Sequence, residues 1–290
     1  MSAKQLRFIV PEDCDGMKAR TFLRKRCNVS ARIITLLKRE KSGILRNGEN
    51  LKTIDVLHSG DEIVLNLPQD KNEITPIKGD LNIVYEDEHI IAVDKPFGMP
   101  VHPTKVHQED TLANILKYFQ EQKGESYTFR AVNRLDKDTS GIVLIAKDKY
   151  TATALQNKVD KTYIAVCEGV IENSGTIDKP IRLLEGHTVQ RTVADDGKPA
   201  VTHYTPLKSD GIHTMLRITL ETGRTHQIRC HMASAGHPLA GDDMYGGSLD
   251  YINRQALHCA VVEFIHPITN KQIKIDTKLP EDIEQIIKEP

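Results

Sequence analysis

The chain carries almost no net charge: 39 Lys and Arg stand against 40 Asp and Glu, a balance of −1 over 290 residues. The surface as a whole therefore exerts little pull on a polyanion, and any nucleic-acid contact must be a local patch. Five cysteines (Cys14, Cys27, Cys167, Cys230, Cys259) lie scattered with no paired spacing. An odd, unpaired set argues against a disulfide framework and for a reducing compartment, with the thiols serving as small apolar residues. Nowhere do about 18 apolar residues run uninterrupted, and no apolar segment follows a basic start, so neither a membrane span nor a signal peptide is expected and the cytoplasm is the expected location. There is no internal repeat, no low-complexity stretch and no phosphate-cradling glycine loop. The length suffices for a substantial core and for two domains.

Against this neutral background, residues 18–46 stand out. Lys18, Arg20, Arg24, Lys25, Arg26, Arg32, Lys38, Arg39, Lys41 and Arg46 meet the single acid Glu40, ten cations against one carboxylate, or +9. Ser30 is a suitable N-cap for a helix whose Ile33, Ile34, Leu36 and Leu37 form one apolar stripe, leaving Arg32, Lys38 and Arg39 toward solvent. Asn47-Gly48 then predicts a tight hairpin, and Ser59-Gly60-Asp61 turns the chain into an alternating strand from Ile63 to Leu67. From Pro68 to Asp80 the composition becomes polar and loses any period, which predicts a linker, placed at 71–80, between a domain at 1–70 and another at 81–290.

Past the linker, Ile83–Tyr85 and Ile90–Val93 read as strands about the turn Glu86-Asp87-Glu88. Three prolines and a glycine between Asp94 and Pro103 force a rigid loop. Thr111 can cap a helix running through Phe119. Asn133-Arg134-Leu135-Asp136-Lys137-Asp138-Thr139-Ser140-Gly141 runs into Ile142–Ala146, a short apolar run rich in branched residues that predicts an interior strand. It places carboxylates and cations together at the mouth of a buried strand. His226, Cys230 and His231 lie close in sequence, but their spacing fits no common zinc pattern, and no metal is expected.

The string RLDKDTSG resembles the signature of the pseudouridine synthases of the RluA/RluD type, which isomerise uridine within RNA. Further matches extend the resemblance over most of the chain: the Lys95-Pro96 to His102-Pro103 loop, Lys161-Thr162-Tyr163-Ile164-Ala165, and Gly223 to Asp242. The N-terminal helix, hairpin and closing strand resemble the RNA-binding module of a small-subunit ribosomal protein. The resemblance implies an α+β fold: a mixed, largely antiparallel sheet in the catalytic domain, preceded by a small α+β RNA-binding domain. It implies that Asp136 is the catalytic aspartate, that Arg229 pairs with it as a bidentate fork, and that Tyr163 stacks on the target base and relays a proton. Arg134 would fill the gap left by the extruded uridine, and Ile228 and Leu257 would line the pocket. Arg32, Lys38 and Arg39 would contact RNA, ribosomal ahead of transfer RNA. Asn133 departs from the family, where histidine often precedes the arginine.

Exchanging a nitrogen–carbon glycosidic bond for a carbon–carbon bond needs no redox or metal cofactor, and none is expected. Asp136 either attacks the anomeric carbon or removes a proton from its ribose neighbour. Two rival functions remain. A non-enzymatic RNA-binding or ribosome-assembly factor needs the basic module but not Asp136, Tyr163 and Arg229 together. An N-glycosidase would use Asp136 and Asp138 side by side on an extended strand, alpha carbons roughly 6.5 Å apart. The expected assembly is a monomer.

Overall fold

A computed structural model describes residues 4–67 and 74–287. Residues 71–73 of the expected linker lie outside the described residues. The strands, in chain order, are β1 (Lys4–Ile9), β2 (Ile44–Arg46), β3 (Glu49–Asn50), β4 (Glu62–Leu67), β5 (Asn82–Glu86), β6 (Ile90–Lys95), β7 (Ser140–Ala146), β8 (Asp160–Glu168), β9 (Gly175–Asp178), β10 (Ile181–Leu183), β11 (Arg191–Val193), β12 (Val201–Ser209), β13 (His213–Leu220), β14 (Leu257–Ile265) and β15 (Gln272–Asp276). The helices are α1 (Ala19–Lys25), α2 (Ala31–Leu37), α3 (Leu112–Gln122), α4 (Lys149–Leu155), α5 (Gln227–Ser234) and α6 (Glu281–Glu284).

The N-terminal module is a four-stranded antiparallel sheet in the order β1-β4-β2-β3, packed by α1 and α2. Ser30 caps α2 by accepting a hydrogen bond from the Ile33 amide, and Ile33, Ile34 and Leu37 turn into the core. Asn47 and Gly48 both take positive φ, 51° and 88°, the backbone that a two-residue hairpin with matched twist demands. Arg32, Lys38 and Arg39 are exposed.

The larger sheet has nine strands in the order β5-β6-β7-β14-β8-β13-β12-β9, with β15 also on β14. Every pairing is antiparallel except β7 with β14. The fold is therefore α+β on a mixed, mostly antiparallel sheet. All seven residues of β7 are buried, as an interior strand covered on both faces requires. Burying each of Ile142, Val143, Leu144 and Ile145 contributes about 1.5–3 kcal/mol. Gly141, at the start of β7, has φ +111°, and a Cβ there would lie 2.3 Å from the Cys259 carbonyl oxygen. Only glycine lets the two parallel strands close at this point, directly beneath the Asp136 loop.

The prolonged polar stretch before β5 is not free along its described length. The Ile77 amide donates to the Asn114 carbonyl, and the Asn114 side chain donates to the Thr75 carbonyl. Asn114 also completes a capping box with Thr111 at the start of α3. Tyr150 on α4 belongs to the core of the N-terminal module: its ring meets Phe8 edge-on at 5.9 Å between centroids. Among the described residues no helix is long and apolar enough to cross a membrane.

Candidate active site

Asp136 sits on the loop that leads into β7, with its side chain about a quarter exposed. The approach to it is paired to β7 through a side chain: Asn133 donates to the Ile142 carbonyl at 2.9 Å and accepts from the Leu144 amide at 2.8 Å. The amide side chain thus replaces a strand's backbone contacts, which gives Asn133 a structural task of its own. The exposed Arg134 and the partly exposed Asp136 flank the buried Leu135, so both charged residues face the open side of the loop. A turn follows, closed by the Thr139 amide on the Asp136 carbonyl. The chain is not extended from Asp136 to Asp138, and the side-by-side carboxylates that a glycosidase reading required are not built on a strand.

The loop is held from below by two buried cations. Lys95, fully buried, donates to the carbonyls of Pro96, Met99 and Lys137 at 2.8, 2.8 and 3.0 Å. One ammonium therefore ties the proline-rich loop to the residue after Asp136. Burial pushes Lys95 down to about 7, against the pull of Asp138 and Asp136. Three carbonyl acceptors call for three protons, so the ammonium is the form that serves as the strut. Arg254 forms a fork on Asp282 at 2.7 and 2.9 Å and reaches the Asp138 carbonyl and Ser140 Oγ at 3.4 Å. It also lies over the Phe97 ring, 4.6 Å from the centroid. Nothing in the spacing of the sequence marks Arg254 for this task, and Lys95 is marked only as part of the matched proline-rich loop.

Arg229 comes from the first turn of α5. Gln227 beside it anchors that turn, donating to the Val201 carbonyl and accepting from the Arg224 amide. The fork of Arg229, however, is not on Asp136. Nε and Nη2 bond the fully buried Asp242 at 2.6 and 2.7 Å, while Nη1 alone reaches Asp136 Oδ2 at 3.3 Å. This corrects the bidentate Asp136 pairing expected from sequence. The reason is burial: a buried guanidinium needs a fully satisfied carboxylate, which the wholly buried Asp242 gives and the partly exposed Asp136 does not. Burial works against the charge of Arg229, but Asp242 first and Asp136 second outweigh it, and its pKa is raised.

His226 was absent from the expected site. It caps α5 in the left-handed region at φ 55°, a backbone in which histidine is among the enriched residues. Its Nε2 lies 3.7 Å from Asp136 Oδ2, and its Nδ1 lies 3.1 Å from the Tyr245 hydroxyl. Burial lowers its pKa, with Arg229 adding to the effect and Asp136 opposing it. Tyr245 also lies under Arg229, 5.1 Å from ring centroid to guanidinium carbon. His226, Asp242 and Tyr245 thus form a fixed frame about Asp136. Asp242 was visible only as a letter within the Gly223–Asp242 match.

Tyr163 lies on β8 opposite Cys259 of β14, buried, with Asp136 close enough to act on it. Burial, then Cys259 and Asp136, hold its hydroxyl well above its ordinary pKa. Ile228 and Leu257 are buried in the same apolar core as Tyr163. The structure therefore brings Arg229 and Tyr163 to Asp136, places Ile228 and Leu257 in the same core as Tyr163, and leaves Arg134 exposed two residues before Asp136. Arg32, Lys38 and Arg39 lie on the separate N-terminal module. His231 is committed to structure: its Nε2 donates to the Lys179 carbonyl and its Nδ1 accepts from Thr202. Among the described residues no group of three or more His, Cys, Asp or Glu side chains is placed to hold a metal. All five cysteines are free and buried.

Comparison with known proteins bears on this geometry. A family model described as RNA pseudouridylate synthase matches residues 89–234. The ribosomal large subunit pseudouridine synthase D of Pseudomonas aeruginosa is 42% identical over 259 residues, covering 81% of this chain and 80% of that protein. An uncharacterized RNA pseudouridine synthase of Bacillus subtilis, YhcT, is 37% identical over 249 residues, with 83% and 82% covered. Among solved structures, human RNA pseudouridylate synthase domain containing 1 superposes with a TM-score of 0.56 at 26% identity, covering 69% of this chain and 83% of that one.

Proposed function

The chain belongs to the RNA pseudouridylate synthase family, whose reaction isomerises uridine to pseudouridine within RNA, and we propose that its substrate is structured ribosomal RNA and its catalytic group is Asp136. The observation that carries the assignment is a half-open carboxylate steadied by a buried arginine that is itself locked by a second, fully buried carboxylate. That arrangement fixes one oxygen and leaves the other for substrate.

The reaction breaks the bond from the anomeric carbon to N1, turns the uracil, and forms a bond from the same carbon to C5. The proton on C5 leaves and N1 gains one, so the balance is redox-neutral. Asp136 meets the ribose, either by adding to the anomeric carbon or by taking a proton from its neighbour. Both routes need an oriented, unprotonated oxygen. Tyr163, Ile228 and Leu257 provide the apolar wall on which the base rests while it turns, and the Tyr163 hydroxyl, which burial keeps protonated, takes the C5 proton only while passing its own to a base, for which the nearby Asp136 carboxylate, free again once the new carbon–carbon bond has formed, serves. Arg134, on the exposed lip, fills the space vacated by the extruded uridine, offsetting an unstacking cost of roughly a few kcal/mol.

We assign residues 1–70 to an RNA-binding domain whose Arg32, Lys38 and Arg39 contact phosphates, 71–80 to the connection, and 81–290 to catalysis. The names of the similar ribosomal enzymes support ribosomal over transfer RNA, and the free thiols suit the reducing cytoplasm. Pseudouridine mapping of total RNA from cells with and without the protein tests the substrate. Loss of signal confined to ribosomal uridines is the expected result, and loss confined to transfer RNA overturns it.

A further inference from the structure

His226 faces Asp136 from the cap of α5, and the steps set out above give it no task. Its side chain is only 10% exposed. Its carbonyl accepts from the Cys230 amide at 2.9 Å, which ties the cap to the helix. Nε2 lies 3.7 Å from Asp136 Oδ2, the same oxygen that accepts from Arg229 Nη1.

Tyr245 decides where the imidazole carries its proton. The Tyr245 oxygen accepts from the Arg191 amide at 2.8 Å. Burial pushes its pKa up to about 12, so the hydroxyl keeps its proton at neutral pH. His226 Nδ1, 3.1 Å away, is placed to accept that proton in a hydrogen bond. A neutral imidazole that accepts at Nδ1 carries its hydrogen on Nε2, which here aims an N–H at Asp136. The other tautomer would turn the Nε2 lone pair toward the carboxylate. It would also drive an Nδ1–H at the Tyr245 oxygen and leave the hydroxyl proton without the acceptor it has now. The imidazolium brings the same Nδ1–H to that oxygen. Burial lowers the pKa of His226, with Arg229 and Arg191 adding to the effect and Asp136 and Asp242 opposing it, so charge and geometry favour the same neutral ring.

We propose that His226 is a positioning residue for Asp136, a neutral Nε2–H donor that closes on Oδ2 when RNA binds and, together with Arg229, leaves Oδ1 as the reacting oxygen. The proposal rests on Asp136 as the reacting group. At 3.7 Å the two side chains stand beyond hydrogen-bond length in the free protein, and contacts of this kind often tighten only in the substrate complex. Neutrality is what suits His226 to the task. A second cation beside a carboxylate stabilises its ionised form and makes it a weaker base and nucleophile. A neutral N–H orients the same carboxylate with less loss of reactivity.

Two measurements on the full-length chain test this. In the first, the histidine ring nitrogens are isotope-labelled and observed by NMR at neutral pH, the His226 signals being those lost in His226→Gln. Nε2 should resonate as a protonated nitrogen and Nδ1 as a bare one. A proton on Nδ1, alone or along with Nε2, overturns the proposal. In the second, single-turnover rates are taken at saturating concentrations of transcribed ribosomal RNA. His226→Ala is expected to slow the reaction about ten- to hundredfold, the scale of a reacting group left misplaced, with RNA affinity within about twofold. His226→Gln, whose amide offers a neutral N–H from the same backbone position, should recover most of that loss. Thermal unfolding of both variants controls for folding. An alanine variant at the parent rate, or a glutamine variant as slow as alanine while equally folded, overturns the proposal. If Asp136→Asn is inactive in the same assay, either failure leaves Asp136 standing as the reacting group. An active Asp136→Asn removes both.

Discussion

Asp136→Asn is expected to abolish isomerisation, lowering turnover by about four orders of magnitude or more, as removal of a reacting group does in other enzymes. RNA affinity should stay within about twofold, because the amide keeps the shape of the side chain and the RNA contacts lie elsewhere. The structure makes the substitution a clean one. Asp136 carries no share of the core and accepts one long hydrogen bond, from Arg229 Nη1 at 3.3 Å, so its loss should barely move the melting temperature. A variant that binds RNA and turns over near the parent rate would remove Asp136 from the chemistry.

Arg229→Met is expected to do two things at once, and they can be separated. It removes the donor that orients Asp136, and a reacting group misplaced by about 1 Å can cost a hundredfold in rate. It also strands Asp242, whose side chain is fully buried and bonded twice by the same guanidinium. Breaking a buried pair by deleting one partner costs about 3–5 kcal/mol. The double variant Arg229→Met with Asp242→Leu removes both buried charges, so stability should return toward the parent while turnover stays low. Unfolding curves and single-turnover rates for both variants check this. Recovery of activity along with stability would mean that Arg229 only holds the fold.

Much of this arrangement was legible in the residues. The apolar run Ile142–Ala146 had to be an interior strand, and Asn47-Gly48 had to be a hairpin, because periodicity and left-handed turn residues are local properties. Asp136, Tyr163 and Arg229 were legible as a set because each sits inside a motif. The partner of Arg229 was not. Which of several carboxylates a guanidinium chooses depends on burial, a tertiary quantity, and Asp242 arrives from thirteen residues further on with a side chain wholly out of solvent. His226 was seen only as a poor metal ligand, since its place beside Asp136 follows from a left-handed cap on α5. Arg254 was hidden for the same reason, and Lys95 was legible only as part of the matched proline-rich loop. Both act on backbone carbonyls, which carry no sequence signal, from 42 and 116 residues away. The stretch around Thr75 and Ile77 read as a loose connection because it has no period, yet it is hydrogen-bonded along α3 through Asn114.

The Asp136–Arg229 site is held to isomerise a uridine that never leaves its RNA, and one assay bears on that most directly. RNA labelled with tritium at uracil C5 is incubated with the purified chain, and both tritium in water and free uracil are measured. Forming the new bond at C5 expels that hydrogen, so the expected result is tritium release equal to the pseudouridine formed, no free base, and neither product with Asp136→Asn. Free uracil without pseudouridine would mean that the glycosidic bond is cut and not remade, and tritium release undiminished by Asp136→Asn would place the chemistry elsewhere.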